Sequence, residues 1–183
     1  MDWRHYSAIL PVALILICAA LVFFLGGEKT YENRFLGLSV LQPAGWQVHE
    51  DGSNTVYFQP PSPFSKAMVA ITVAESDSNK TLSELSYAMR ARYVRALKGV
   101  SIINISEANA TIFGTHALMG LFVAEHDSDS GRAVIYTRHY FLKNNKTYYI
   151  ISFSSSSQAG TNGQDAEKYA RDFERMAASF RII

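Results

Sequence analysis

Apolar and polar positions alternate along much of the chain, and at two places the spacing becomes helical. In LGLSVLQP (36–43), Leu36, Leu38 and Val40 fall on every second position, which predicts a half-buried strand. Pro43-Ala44-Gly45 turns the chain, and Trp46-Gln47-Val48 begins a second strand. Asp51-Gly52 signals a hairpin before TVYFQ (55–59). A proline-rich loop (59–64) follows, and then AMVAITVAE (67–75), with Val69, Ile71 and Val73 at period two. From Thr81 to Lys98 the spacing becomes three and four. Leu82, Leu85, Met89, Tyr93, Ala96 and Leu97 make one helical stripe. Thr81 and Glu84 form a capping box at its start, and Gly99 is expected to end it as a C′ glycine. Period two then returns in strands at about 101–107, 111–113, 115–126, 132–143 and 147–155, which favours an antiparallel meander. A second helix, about 163–178, should bury Ala166, Tyr169, Ala170, Phe173, Met176 and Ala177. Residues 179–183 close the chain as a short strand. The pattern as a whole predicts an α+β domain.

One stretch obeys neither period. Residues 8–27 (AILPVALILICAALVFFLGG) carry no charge. As a helix they reach about 30 Å, the thickness of a hydrocarbon core. Trp3 and Tyr6 flank the entry as interfacial aromatics do. Cleavage after Cys18-Ala19-Ala20 would leave LVFFLGG exposed, and Ile17 is too large for a lipoprotein signal before Cys18. An uncleaved membrane anchor fits better. The expected organisation is a tail and transmembrane anchor (1–27), a polar linker (28–34) and one folded domain (35–183).

Composition narrows the function. The net charge of +1 offers no field for nucleic acid, so no nucleic-acid partner is expected. Cys18 is the single cysteine, so neither an intrachain disulfide nor a zinc-type Cys/His spacing exists. Four Asn-x-Ser/Thr triplets begin at Asn79, Asn104, Asn109 and Asn145. They are glycosylation candidates, and they favour a domain outside the cytoplasm with the N-terminus inside, in a single-pass cell-membrane topology. The plainer reading is that Asn, Ser and Thr favour turns and caps.

Candidate chemistry is sparse. Asp127-Ser128-Asp129-Ser130-Gly131 has the look of the first half of a calcium loop, but Arg138 stands where such a loop places its glutamate. A hairpin turn is the better reading. His116, Glu125, His126 and His139 lie on neighbouring strands and offer a two-His-plus-carboxylate metal site. Scattered surface histidines are the better reading. Arg90, Arg92, Arg95 and Lys98 make a basic helix side that suits an acidic partner or anionic headgroups, or is simply solvated. Tyr136, Tyr140, Tyr148 and Tyr149 crowd two paired strands, where packing is the expected role. No nucleophile elbow and no phosphate-binding glycine loop occurs, so no catalytic residue and no cofactor is assigned.

Several landmarks, in order, resemble the PsbP-like family, named for an extrinsic protein of the photosynthetic oxygen-evolving complex. Tyr31 and Asn33 lead into LGLSVLQPAGW (36–46), which resembles the family's opening strand. Val56 and Phe58 fit the second hairpin strand, and Thr81-Leu82-x-Glu84-Leu85 fits the start of the first long helix. Ile112-Phe113-Gly114 with Ala117, and Ser179-Phe180 after the last helix, complete the set. The resemblance implies a central antiparallel sheet with helices packed on both sides. It also implies accessory, binding or assembly roles more than catalysis. Relatives are commonly exported behind a transit peptide or lipoprotein signal, and the anchor at 8–27 departs from that. The expected function is a membrane-anchored extracytoplasmic module, bound to the bilayer through 8–27 and to a protein partner in or at the membrane. The rivals are an accessory subunit held in a membrane complex by its anchor, and a metal-dependent enzyme on the sheet rim.

Overall fold

A computed structural model describes residues 27–62, 66–75, 79–129, 131–158 and 164–183. Within these residues ten strands and two helices follow in the order β1 (Lys29–Asn33), β2 (Leu38–Gln42), β3 (Gln47–Glu50), β4 (Thr55–Gln59), β5 (Met68–Glu75), α1 (Leu82–Ala96), β6 (Lys98–Ile112), β7 (Thr115–Ser128), β8 (Gly131–Asn144), β9 (Thr147–Gln158), α2 (Gln164–Ser179) and β10 (Arg181–Ile182). Seven strands form one antiparallel sheet in the order β3-β4-β5-β9-β8-β7-β6. A three-stranded sheet, β1-β2-β10, packs beside it.

The meander follows from turn chemistry. Asp51 accepts from the Ser53 N–H at 2.9 Å and Gly52 takes φ 73°, which closes the β3–β4 hairpin. Asn145, at φ 55°, turns β8 into β9. The link that periodicity does not show is β5 with β9, paired from Met68↔Ser154 to Glu75↔Thr147.

Alternation then sorts each strand between two faces. Tyr140 and Leu142 of β8 join Val56, Phe58, Val69 and Ile71 in the main core. The α2 residues Tyr169, Phe173, Met176 and Ala177 cover it, with Leu38 and Val40 of the small sheet. Phe153 stacks on Phe173 at 5.1 Å between centroids. Arg138 ties β8 to Glu174 of α2 and donates to the Tyr136 hydroxyl at 2.7 Å. On the opposite face Phe141, Leu118 and Ile150 form a smaller cluster against Leu82, Leu85 and Met89 of α1. Each such buried side chain contributes about 1.5–3 kcal/mol. The crowded tyrosines belong to this packing: Tyr140, Tyr148 and Tyr149 are buried and Tyr136 is half-buried.

Two expectations are corrected. The domain is not an α+β arrangement with helices packed on both sides. Over the described residues it is mostly β, ten strands to two helices, and the one described helix that each face meets leaves much of the sheet uncovered. Strand β6, for example, stays exposed over most of its fifteen residues. The expected transmembrane helix is not among the described elements. Among the described residues no helix is long and apolar enough to cross a membrane. The stretch expected to do so, 8–27, lies outside them except for Gly27. The supposed linker (28–34) is largely β1, because Tyr31 packs edge-on against Phe58 at 5.3 Å and carries its strand into register with β2.

Candidate functional site

Helix α1 begins as its sequence demands. The Glu84 N–H donates to the Thr81 hydroxyl at 3.2 Å, and the Thr81 N–H donates to the Glu84 carboxylate at 2.7 Å. That backbone donor holds the Glu84 carboxyl below its ordinary range. The helix stops two residues earlier than expected, at Ala96. Leu97 is its C-cap, and Gly99 is not a C′ glycine but part of β6, at φ 57°. A Cβ on Gly99 would collide with a carboxylate oxygen of Asp127.

The helix lies low over β7 because Gly120 has no side chain. A Cβ there would come within 3.2 Å of the Ser86 hydroxyl and 3.3 Å of the Phe141 ring. Ser86, buried in the helix's inner stripe, donates to Glu107 of β6 at 2.6 Å. Arg90 pairs with the same carboxylate oxygen at 2.9 Å. This Ser86–Glu107–Arg90 cluster fixes the helix to the outermost strand.

Outside that cluster a groove of about 910 Å³ opens between α1 and β6. Tyr87, Ala91 and Val94 line it from the helix, and Ile102 and Ile105 from the strand. Tyr87 is 68% exposed and Ile102 49%, so large apolar surface faces solvent here. A β-bulge explains the pairing of the two isoleucines. The register with β7 slips between Ile102 and Asn104, so Ile102 and Ile105 share a face and Ile103, 56% exposed, takes up the bulge. Sequence alternation alone puts Ile103 and Ile105 on one face, and the bulge overturns that.

The four basic residues do not share one face. Arg90 turns toward β6 and Glu107, and Lys98 belongs to β6. Arg92 and Arg95 are exposed, and Arg95 donates to the Ala91 carbonyl at 3.1 Å. Among the described residues neither Arg92 nor Arg95 meets a carboxylate.

The histidines are not brought together. His116 and His126 stand ten residues apart on one strand, about 33 Å along it. His139 is no surface histidine. It is 2% exposed beneath Tyr93, whose ring stacks on it at 5.7 Å, and its Nδ1 lies 2.7 Å from the Ser152 hydroxyl. Burial pushes its imidazole down to about 4. Its Nε2 has no hydrogen-bond partner among the described residues. Asp127 pairs with Arg132 at 3.1 Å, and Asp129 is exposed in the β7–β8 turn. Among the described residues no three His, Cys, Asp or Glu side chains gather as metal ligands.

All four sequon asparagines are exposed. Asn79 accepts from Lys143 at 2.6 Å, and it lines a pocket of about 500 Å³ at the α1 start together with Asn109 and His116. Asn104 pairs with Val123, on the sheet face opposite Ile102 and Ile105, and Asn145 sits in the β8–β9 turn. The residues that build the groove, Ser86, Glu107 and Gly120 with Tyr87 and Val94, escaped the sequence reading. One signal was present: Ser86 stands one turn from Leu82, a polar residue in an apolar stripe.

No family model matches the chain, and no curated protein matches it. Its fold, however, is found among solved structures. The chain is similar to the cyanobacterial PsbP protein (CyanoP) of Synechocystis, with a TM-score of 0.56 and 15% identity over 86% of this chain and 94% of that one. It is also similar to LpqN of Mycobacterium tuberculosis, described as involved in cell envelope biogenesis, with a TM-score of 0.53 and 9% identity over 84% and 89%. The chain therefore has the PsbP-like fold.

Proposed function

We propose that this chain is a binding or assembly module that works outside the cytoplasm, held at a membrane by its apolar stretch 8–27, and that it does not catalyse a reaction. The observation that carries this reading is the α1–β6 groove, whose exposed Tyr87, Val94, Ile102 and Ile105 form a surface suited to a partner rather than to a reaction. The PsbP-like fold, shared with a protein named for cell envelope biogenesis, supports the same reading. So do the four exposed sequon asparagines and the uncharged run at 8–27, which favour the outer side of a cell membrane. A second reading, an accessory subunit whose residues 8–27 insert into a larger membrane complex, differs in where the partner is gripped.

Purification of the full chain from its own membranes in mild detergent, followed by mass spectrometry, tests both. A stoichiometric protein partner, an intact N-terminus and glycan mass on Asn79, Asn104, Asn109 or Asn145 are expected. A partner that survives replacement of residues 1–27 by an unrelated anchor favours the module. A partner lost on that replacement favours the accessory subunit. No partner, or a mature terminus beyond Gly27, overturns the proposal.

A further inference from the structure

The seven-stranded sheet ends on a long open edge. Strand β6 runs fifteen residues and, among the described residues, pairs with β7 alone. Half of its backbone N–H and C=O groups therefore point away from the sheet, a ready template for another strand. Proteins blunt such edges with bulges, and β6 has two, but both lie before Asn104. From Asn104 to Ile112 the register with β7 is unbroken. Helix α1 reaches past β7 toward this edge, held there by Ser86 and Arg90 on Glu107. The groove lies beneath that overhang. Where it passes Ile102 and Ile105, a strand added outside β6 would turn the side chains of that face into the groove, against Tyr87, Ala91 and Val94.

We infer that the β6 edge and the α1 overhang take an extended segment of a partner protein, apolar at alternate positions and acidic between or beside them. This rests on the reading of the chain as a binding module and names what that module holds. The charge comes from Arg95, which lines the groove, and from the exposed Arg92 one helical turn before it, both unmatched by any carboxylate among the described residues. They favour an acidic segment and disfavour a second copy, since a two-fold β6–β6 pair would bring two such basic rims together. The Arg90 charge is already engaged by Glu107 and does not enter.

The test uses the full chain in detergent and synthetic peptides of about nine residues, a common strand length. One alternates Val or Ile with Glu, a second replaces Glu by Lys, and a third is the acidic peptide N-methylated at alternate amides. Binding is read by fluorescence anisotropy. The acidic peptide should bind about tenfold or more tightly than the lysine peptide, and added salt should narrow the gap. N-methylation should abolish binding. Val94→Asp and Ile102→Asp should each weaken it about tenfold or more, and the Arg92→Glu, Arg95→Glu pair should reverse the charge preference. These positions are exposed, and an unchanged thermal midpoint confirms folding. The arginine pair, outside the packing, remains decisive if either apolar variant fails to fold. Equal binding of acidic and lysine peptides, unimpaired binding of the N-methylated peptide, a β6-dependent dimer in sedimentation, or displacement of the peptide by anionic vesicles would each overturn the inference. A native partner that stays bound to Val94→Asp also sinks it while leaving the module reading intact. Absence of any native partner sinks that reading, and the peptides then decide the groove alone.

Discussion

His139 is the residue at which burial and chemistry conflict most. It lies in the α1 interface with Tyr93 over its ring and Ser152 on Nδ1. In the unfolded chain an imidazole titrates at about 6.5. In the fold, burial holds it neutral down to about 4. As pH falls below the unfolded value, the unfolded state gains a proton that the folded state refuses, so stability drops through that window and levels off below the folded value. At pH 5 the loss relative to pH 8 is about 2 kcal/mol. Urea midpoints measured across pH 8 to 5 should show this slope, and His139→Gln, whose side chain does not titrate, should flatten it. A wild-type slope that persists in the variant would assign the effect to other groups.

At the scale of the element, α1 depends on what lies beneath it. Gly120 lets the helix approach β7, and any larger residue must displace Ser86 or Phe141. Gly120→Val should lower stability by about 1–3 kcal/mol, the usual range for overpacking, despite the better strand propensity of valine. A calorimetric midpoint unchanged or raised by the substitution would show that the helix can lift without loss. Much of α1 was legible in the sequence. The Thr81–Glu84 capping box forms as predicted, and Leu82, Leu85 and Met89 face the sheet at their predicted spacing. The β8 and β9 strands, with the KNNK turn between them, also follow from alternation and turn residues. Strand β6 was less legible. Its sequence reads as two short strands because an edge strand without cover has little reason to keep an apolar face through Ala108-Asn109-Ala110, and the bulge at Ile103 shifts the alternation within the first of them. The His139 environment was hidden as well, since a histidine among tyrosines and phenylalanines on a strand has the same local pattern whether covered or not.

At the scale of the molecule, the long-range pairings close the core. β9 reaches back to β5, and β10 joins β2 across nearly the whole chain. Periodicity contains no term for such pairings, so strand order and the separate small sheet could not be read from it. Phe180 is the clasp between them. It is 1% exposed and packs edge-on against Tyr149 at 5.6 Å, while the Ile183 N–H donates to the Gly37 carbonyl at 3.0 Å. Phe180→Ala should cost about 3–5 kcal/mol, read as a lower denaturant midpoint with an unchanged slope. A loss below about 1 kcal/mol would mean that the small sheet docks independently of the C-terminus.

The two rims of the large sheet are unequal. β3, at one rim, has four residues, and β6, at the other, has fifteen. A chain of molecules growing by edge-to-edge pairing needs a donor rim and an acceptor rim of comparable length on every link, because a mismatch leaves most of each junction unpaired. The short rim denies this protein the second link. A partner that joins β6 therefore joins once, and a complex built on this surface would be one-to-one rather than the seed of a fibre.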